Sequence, residues 1–291
     1  MTKNLAHEIK LENDVTIYTE SYGDKADKPI LLLHGAGNSM LNWSEDFCEK
    51  LSNEGFYVIR MDSRDAGRSK KYPLGNPGYG LMDLARDVIG VLDNLHIQKI
   101  NLVGVSQGAA ITQLLAIHYP ARVASICLIS ATPGGPGHAT GDLPSMTSEI
   151  AALFSGPGPS DPDWSSEEEV VNYLVEAERP FSGSAFDEEL TRHMATDTFN
   201  LVPELANQLT NPYMIDAGDP WRKRLAEIGV PTLIVHGSED PLFPLEHGKA
   251  LAKEIPHANL LVIDGMGHAN MPRSAQGVLI ENIKELIKKT A

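Results

Sequence analysis

The chain is poor in cysteine, with two in 291 residues. Cys48 falls in a helical pattern and Cys127 in an apolar strand pattern. Two scattered thiols cannot build a disulfide scaffold, and they fit a reducing compartment as buried, unpaired groups. Basic residues are also scarce: 24 Lys and Arg stand against 39 Asp and Glu, for a formal net charge of −15. No dense Lys/Arg patch stands out, which argues against nucleic-acid partners, and an acidic surface disfavours polyanions in general. No apolar run is long enough to cross a bilayer. The opening residues, MTKNLAHEIKLENDV, lack the apolar centre of a signal peptide. These absences predict a cytoplasmic protein without membrane insertion, and they leave the oligomeric state open.

Apolar residues, 42% of the chain, suffice for a sizeable core. They are arranged in alternating runs. Ala6–Leu11 and Val15–Tyr22 read as a hairpin. The runs PILLLHG, FYVIRMD, INLVGV and VASICLIS are short and continuous, as for strands buried on both faces. Helical spacing separates them at Leu41–Asn53, Leu81–Leu95 and Gln107–His118. This alternation predicts an α/β fold with right-handed crossovers and a largely parallel sheet.

The rhythm breaks after the fourth of these runs. From about Pro133 to Pro162 the chain is rich in Gly, Pro and Ser, which are loop signals. Ser166 and Glu169 then form a candidate capping box that opens a helix. A second helix is expected over Asp187–Asp197, followed by an irregular apolar stretch through Met214 and Trp221. The alternation resumes with VPTLIVHG, a helix over Leu245–Glu254, NLLVIDG and a last amphipathic helix over Ser274–Lys289. Residues 133–224 therefore read as an insertion, a helical cap in a core of residues 1–132 and 225–291.

The stretch GVSQG places Ser106 between Gly104 and Gly108, after a strand and before a helix. That is the setting of a nucleophile elbow, although a serine in a strand-to-helix turn can also be a simple cap. A serine hydroxyl needs a base, a group that orients the base, and donors for the oxyanion. His268, in DGMGH after NLLVIDG, comes at the place in the chain expected of the base. Asp240, in VHGSEDPLFP, is the expected acid, with Glu239 its nearest rival. Both would lie at the carboxyl edge of the sheet, where open α/β sheets bind ligands. The oxyanion donors would be the backbone N–H groups of Gln107 and Ala36, with Gly37 close enough to substitute for Ala36. His34 is expected to shape that loop.

The motifs LLLHGAG, DSRDAGRS, GVSQGA, HGSEDP and GMGH together resemble the α/β-hydrolase superfamily over Pro29–Thr132 and Val230–Met271. The resemblance implies a mostly parallel eight-stranded sheet with helices on both faces, an inserted helical cap, and a serine-esterase mechanism without cofactor or metal. It implies Ser106 as nucleophile, Asp240 as acid and His268 as base. Asp65 stands where the commoner family form has glycine. The Arg-Asp-x-Gly-Arg-Ser variant resembles the subgroup that contains aclacinomycin methylesterase, which implies methyl esters. Asp62, Arg64 and Asp65 are expected to brace their loop.

The function expected is hydrolysis of a carboxylic ester of a small hydrophobic molecule. Thioesterase, C–C bond hydrolase and perhydrolase chemistry, or a non-enzymatic small-ligand receptor, would suit the same scaffold. Since ligand pockets are largely apolar, Phe154, Trp164, Phe181, Phe243 and Met266 are the candidate substrate-binding residues.

Overall fold

The computed structural model describes residues 5–134, 141–268 and 271–290. Strands β1 (Leu5–Lys10) and β2 (Thr16–Tyr22) form the expected antiparallel hairpin, with Ile9 opposite Ile17. Its turn uses Asn13 and Asp14, both left-handed at φ +58° and +59°. Short polar side chains tolerate that conformation. Then come β3 (Lys28–Leu33), α1 (Glu45–Asn53), β4 (Phe56–Met61), α2 (Leu81–Asn94), β5 (Ile100–Val105), α3 (Gln107–His118) and β6 (Val123–Ile129).

After β6 the described residues carry helices only: α4 (Ser148–Ser155), α5 (Glu167–Glu178), α6 (Glu188–Leu201) and α7 (Leu205–Thr210). The alternation resumes with β7 (Thr232–Gly237), α8 (Glu246–Glu254), β8 (Asn259–Ile263) and α9 (Arg273–Lys288). One eight-stranded sheet results, in the order β1-β2-β4-β3-β5-β6-β7-β8. Pairing is antiparallel from β1 through β4 and parallel across the rest.

Burial follows the sequence pattern. Every residue of β4 and β7 is buried, as a strand covered on both faces requires. The edge strand β8 is less covered, with Asn259 and Val262 exposed and Ile263 its one buried residue. One core layer joins the sheet to α2, α3 and α8, through Val88, Leu115 and Leu251 among others. The opposite layer joins it to α1 and α9, through Leu51, Leu279 and Ile283. The helix α3 is buried on all sides from Gln107 to Ile117, which accounts for its lack of a polar face. Trp221, Leu225 and Ile228, in the stretch that leads into β7, pack in the first layer.

Three local expectations change. The helix expected over Leu41–Asn53 begins at Glu45, because Trp43 is extended and Ser44 caps the helix by accepting from the Phe47 N–H. The Gly/Pro-rich stretch contains α4, capped by Thr147; residues 135–140 of that stretch lie outside the described residues. The capping box at Ser166 is half formed. Its hydroxyl accepts from the Glu169 N–H at 3.3 Å, but the Glu169 carboxylate accepts from the Asp163 N–H instead. Both cysteines are buried and free. Among the described residues no helix is long and apolar enough to cross a membrane.

Candidate active site

Ser106 sits between the last residue of β5 and the first of α3, at φ +51° and ψ −111°. L-residues rarely adopt that backbone, and holding it costs about 1–3 kcal/mol. The turn is kept by Ser106 N–H donating to the Ile129 carbonyl at 2.9 Å and the Ser106 carbonyl accepting from Ala110 N–H at 3.0 Å. Strand and helix approach too closely here for a Cβ. One at Gly104 would stand 2.3 Å from the Gly108 carbonyl oxygen, and one at Gly108 would stand 2.5 Å from that of Leu33. The glycines of the Gly-x-Ser-x-Gly pattern thus serve contact between β5, α3 and the end of β3.

The loops after β7 and β8 bring Asp240 and His268 to this serine. His268 Nε2 lies 3.0 Å from Ser106 Oγ, and Nδ1 lies 2.9 Å from Asp240 Oδ2. A carboxylate can only accept, so the proton belongs on Nδ1 and the Nε2 lone pair faces the serine hydroxyl. The other Asp240 oxygen accepts from the N–H groups of Leu242 (3.0 Å) and Phe243 (2.8 Å). Burial opposes ionisation of Asp240, but its attraction to and hydrogen bond with the His268 ring, with smaller contributions from His236 and the Phe243 N–H, hold its carboxyl below the usual carboxylate range.

His236, on β7, is a member of this group that no motif signalled. Its Nε2–H donates to the Phe243 carbonyl at 2.7 Å and lies 3.5 Å from Asp240 Oδ2. Burial pushes its pKa down, so it backs Asp240 as a neutral ring. Glu239, the rival acid, points elsewhere. It accepts from the Ser184 N–H at 2.6 Å and from the Ser184 hydroxyl at 2.8 Å.

The loop after β3 lies across from the serine. Among the described residues neither Ala36 N–H nor Gln107 N–H has a protein acceptor. The loop's carbonyls are engaged: Tyr213 Oη donates to Ala36 and Gln208 Nε2 to Gly37, each at 3.2 Å. The Gln107 side chain donates to the Pro212 carbonyl at 3.0 Å. His34 donates from Nδ1 to the Gly35 carbonyl (2.8 Å) and accepts at Nε2 from Ser63 N–H (3.1 Å). Burial lowers its pKa against the pull of that Gly35 bond, which keeps it neutral as a spacer between two loops.

The Asp-Ser-Arg-Asp loop after β4 is braced by bonds within itself and to its neighbours, the loop after β3 and α2. Asp62 accepts from Met40 N–H and Arg68 N–H, and Arg64 grips Asp87 with two bonds of 2.7 and 2.8 Å. Asp65 is left-handed at φ +63°, and it accepts from Tyr72 N–H (2.8 Å) and Tyr79 Oη (2.9 Å). Those bonds allow an aspartate where glycine is the easier residue.

Ser106 and His268 open onto a cavity of about 340 Å³. Phe154 and Phe181 line it and meet edge to face, with ring centroids 6.2 Å apart. The structure does not bring Trp164, Phe243 or Met266 to its wall. Trp164 packs edge-on against Tyr173, which takes the wall position. Phe243 stands with its ring edge-on to His268 at 5.1 Å. Met266 is 1% exposed and packs in the core layer beneath. Met194, Tyr213 and Glu178 complete the wall from the segment after β6, with no sequence signal beyond helical spacing.

That segment is tied to the loop carrying His268. The His268 N–H donates to the Phe181 carbonyl at 2.6 Å, Gly267 N–H to Ser182 at 3.0 Å, and Ala185 N–H to Gly265 at 2.9 Å. Among the described residues no group of three or more His, Cys, Asp or Glu could hold a metal ion.

The family model of Hydrolase_4, described as serine aminopeptidase S33, matches residues 24–271. The chain is 31% identical to the rhodomycin D methylesterase DauP of a Streptomyces species, over 89% of this chain and 90% of that protein. It is 27% identical to a 2-hydroxy-6-oxononadienedioate/2-hydroxy-6-oxononatrienedioate hydrolase of Burkholderia vietnamiensis, over 89% of this chain and 88% of that protein. The solved structure of the esterase EaEST from Exiguobacterium antarcticum shares the fold, with a TM-score of 0.76 at 24% identity, covering 98% of this chain and 100% of that one.

Proposed function

The chain belongs to the serine aminopeptidase S33 family within the α/β-hydrolase superfamily, and on that premise we propose that it cleaves a carboxylic ester of a small hydrophobic molecule through an acyl-enzyme on Ser106. One observation carries this reading: an unbroken chain of hydrogen bonds from Ser106 through His268 to Asp240 at the floor of a largely apolar cavity.

Ser106 Oγ attacks the ester carbonyl while His268 Nε2 takes its proton. Asp240 holds the imidazole in the required tautomer and stabilises the cation that forms. The Gln107 and Ala36 N–H groups receive the oxyanion. Donors of this kind are worth about 10²–10³ in turnover each. His268 then gives its proton to the leaving alkoxide. A water, activated by the same ring, attacks the acyl-enzyme and releases the acid. Residues 133–224 act as the cap that closes the cavity and sets its shape.

Methyl esters are the first substrate class to try, because the Arg64–Ser69 variant and the methylesterase relative point the same way. The similarity to the dienedioate hydrolase keeps a second hydrolytic substrate class in view. A panel of methyl esters, longer alkyl esters, thioesters and vinylogous diketo acids separates the two. A fluorophosphonate should label wild type and not Ser106→Ala. Turnover of methyl esters abolished in that variant supports the reading. A folded Ser106→Ala protein with near-full esterase activity would falsify it.

A further inference from the structure

One acid in the cavity has no part in this mechanism. Glu178 closes α5, and it lines the same cavity as Ser106, His268 and Asn38. Its wall neighbours Leu174, Ala177 and Phe181 are apolar. No lysine or arginine lines the cavity among the described residues. Arg179, the next residue, faces the surface and pairs with Glu176 (2.9 Å) and Glu188 (3.0 Å). Glu178 thus brings a carboxyl into a largely apolar cavity with no lysine or arginine beside it there, an arrangement that costs stability unless something pairs with it.

The protein supplies little of that pairing. Burial pushes the carboxyl above its usual range, against the pull of His268 and of the Asn38 amide. The carboxyl cannot be the group that orients His268, because both ring nitrogens are already engaged, by Ser106 and by Asp240. Asn38 uses only part of its acceptor capacity, since a carboxylate has about four lone-pair sites. Tyr213 is spent on the Ala36 carbonyl. What remains is an acceptor facing the space that a substrate would fill.

We propose that Glu178 is a specificity-determining residue that accepts a hydrogen bond from a hydroxyl or protonated amine borne by the ester substrate away from its scissile carbonyl. This rests on the reading of the cavity as the ester site. The shared chemistry is a donor in an otherwise apolar molecule. A site built to bond such a group discriminates against the analogue that lacks it, because its own polar atom is then left unpaired.

The test uses sets of acyl esters of several lengths, alike except for a terminal methyl, hydroxyl or ammonium group. Each set is measured twice: as kcat/KM with the intact enzyme, and as Kd for the uncleaved ester on Ser106→Ala protein. At the length that reaches Glu178, the hydroxyl or ammonium ester should be preferred over its methyl partner. In Glu178→Leu that preference ratio should fall by about tenfold or more, as loss of a hydrogen bond to a charged group implies. Glu178→Gln should keep a hydroxyl preference and lose an ammonium preference, which distinguishes the two donors. Should the Leu variant not fold, the Gln variant decides through the ammonium arm. A ratio within about twofold of wild type in Glu178→Leu, or on the ammonium arm in Glu178→Gln, no donor preference in wild type, or an equal loss on all three esters would overturn the proposal. If no ester turns over but the Kd order holds and responds to Glu178, the esterase reading fails and the role of Glu178 stands.

Discussion

The two regions that meet at Ser106 are built on opposite terms. At the carboxyl edge of the sheet each side chain is held by named bonds: Ser106 to His268, His268 to Asp240, and Asp240 to two backbone N–H groups. Among the described residues α5 and α6 share a small cluster of their own, Val171, Val175 and Ala195. Large apolar side chains there stay accessible, including Leu153, Phe154 and Tyr213 at 49, 57 and 60% exposure. The first region must keep reacting atoms at one geometry. The second needs only to offer a surface of the right shape. Changes in the first should therefore act on turnover, and changes in the second on substrate preference.

The sharpest way to break that contrast is Ser106→Ala. Turnover should fall by about 10⁴–10⁶, read by ester hydrolysis, with the melting temperature little changed. Asp240→Asn should follow, losing about 10⁴ in kcat, because an amide donor in that position favours the wrong imidazole tautomer. A smaller loss for Asp240→Asn than for any wall variant would dissolve the distinction.

Acid should reach the first region through its buried neutral rings. Burial lowers the pKa of His34 and His236, while the unfolded chain titrates at the ordinary value of about 6.5. Below that pH the unfolded state binds more protons than the native one, so stability falls as pH drops and recovers above it. Thermal melts from pH 7 to 5 should show this, with a flatter profile in His236→Gln.

In the wall, Phe154→Ala should raise KM for a bulky ester by about tenfold and leave kcat and melting nearly intact. A kcat loss as large as that of Asp240→Asn would mean the wall positions reacting atoms after all. Ser184→Ala, at the seam between the regions, should have the smallest effect. It removes one hydrogen bond to Glu239, worth about 0.5–1.5 kcal/mol in a melt.

The same contrast governs what could be read in the sequence. The meeting of Ser106, Asp240 and His268 was legible because each follows a strand in a tight turn, and tight turns keep Gly in fixed company. The central strands were legible because burial on both faces makes them short, mostly apolar runs, with a few polar residues such as Arg60, Asn101 and His236 among them. The candidate wall was not. Trp164 lies in the turn before α5 and Tyr173 on the helix itself, and nothing in the sequence says which of the two aromatic rings faces the cavity. Glu178 and His236 belong to no motif. One takes its place from the end of a helix and the other from its neighbour on the sheet. The short helix α4 was hidden by the Gly and Pro around it, since Ile150 is the one buried residue in its length.

The bonds between residues 181–185 and 265–268 carry a lesson for recombining relatives of this chain. The helices after β6 look like an exchangeable module, since they interrupt the sheet and contribute no strand. Yet the amide of His268 is tied to the carbonyl of Phe181. A chimera that imports foreign helices would also import a new seat for the His268 ring. Crossovers that carry both strips from the same parent would let the exchange alter the cavity wall without disturbing the ring that meets Ser106.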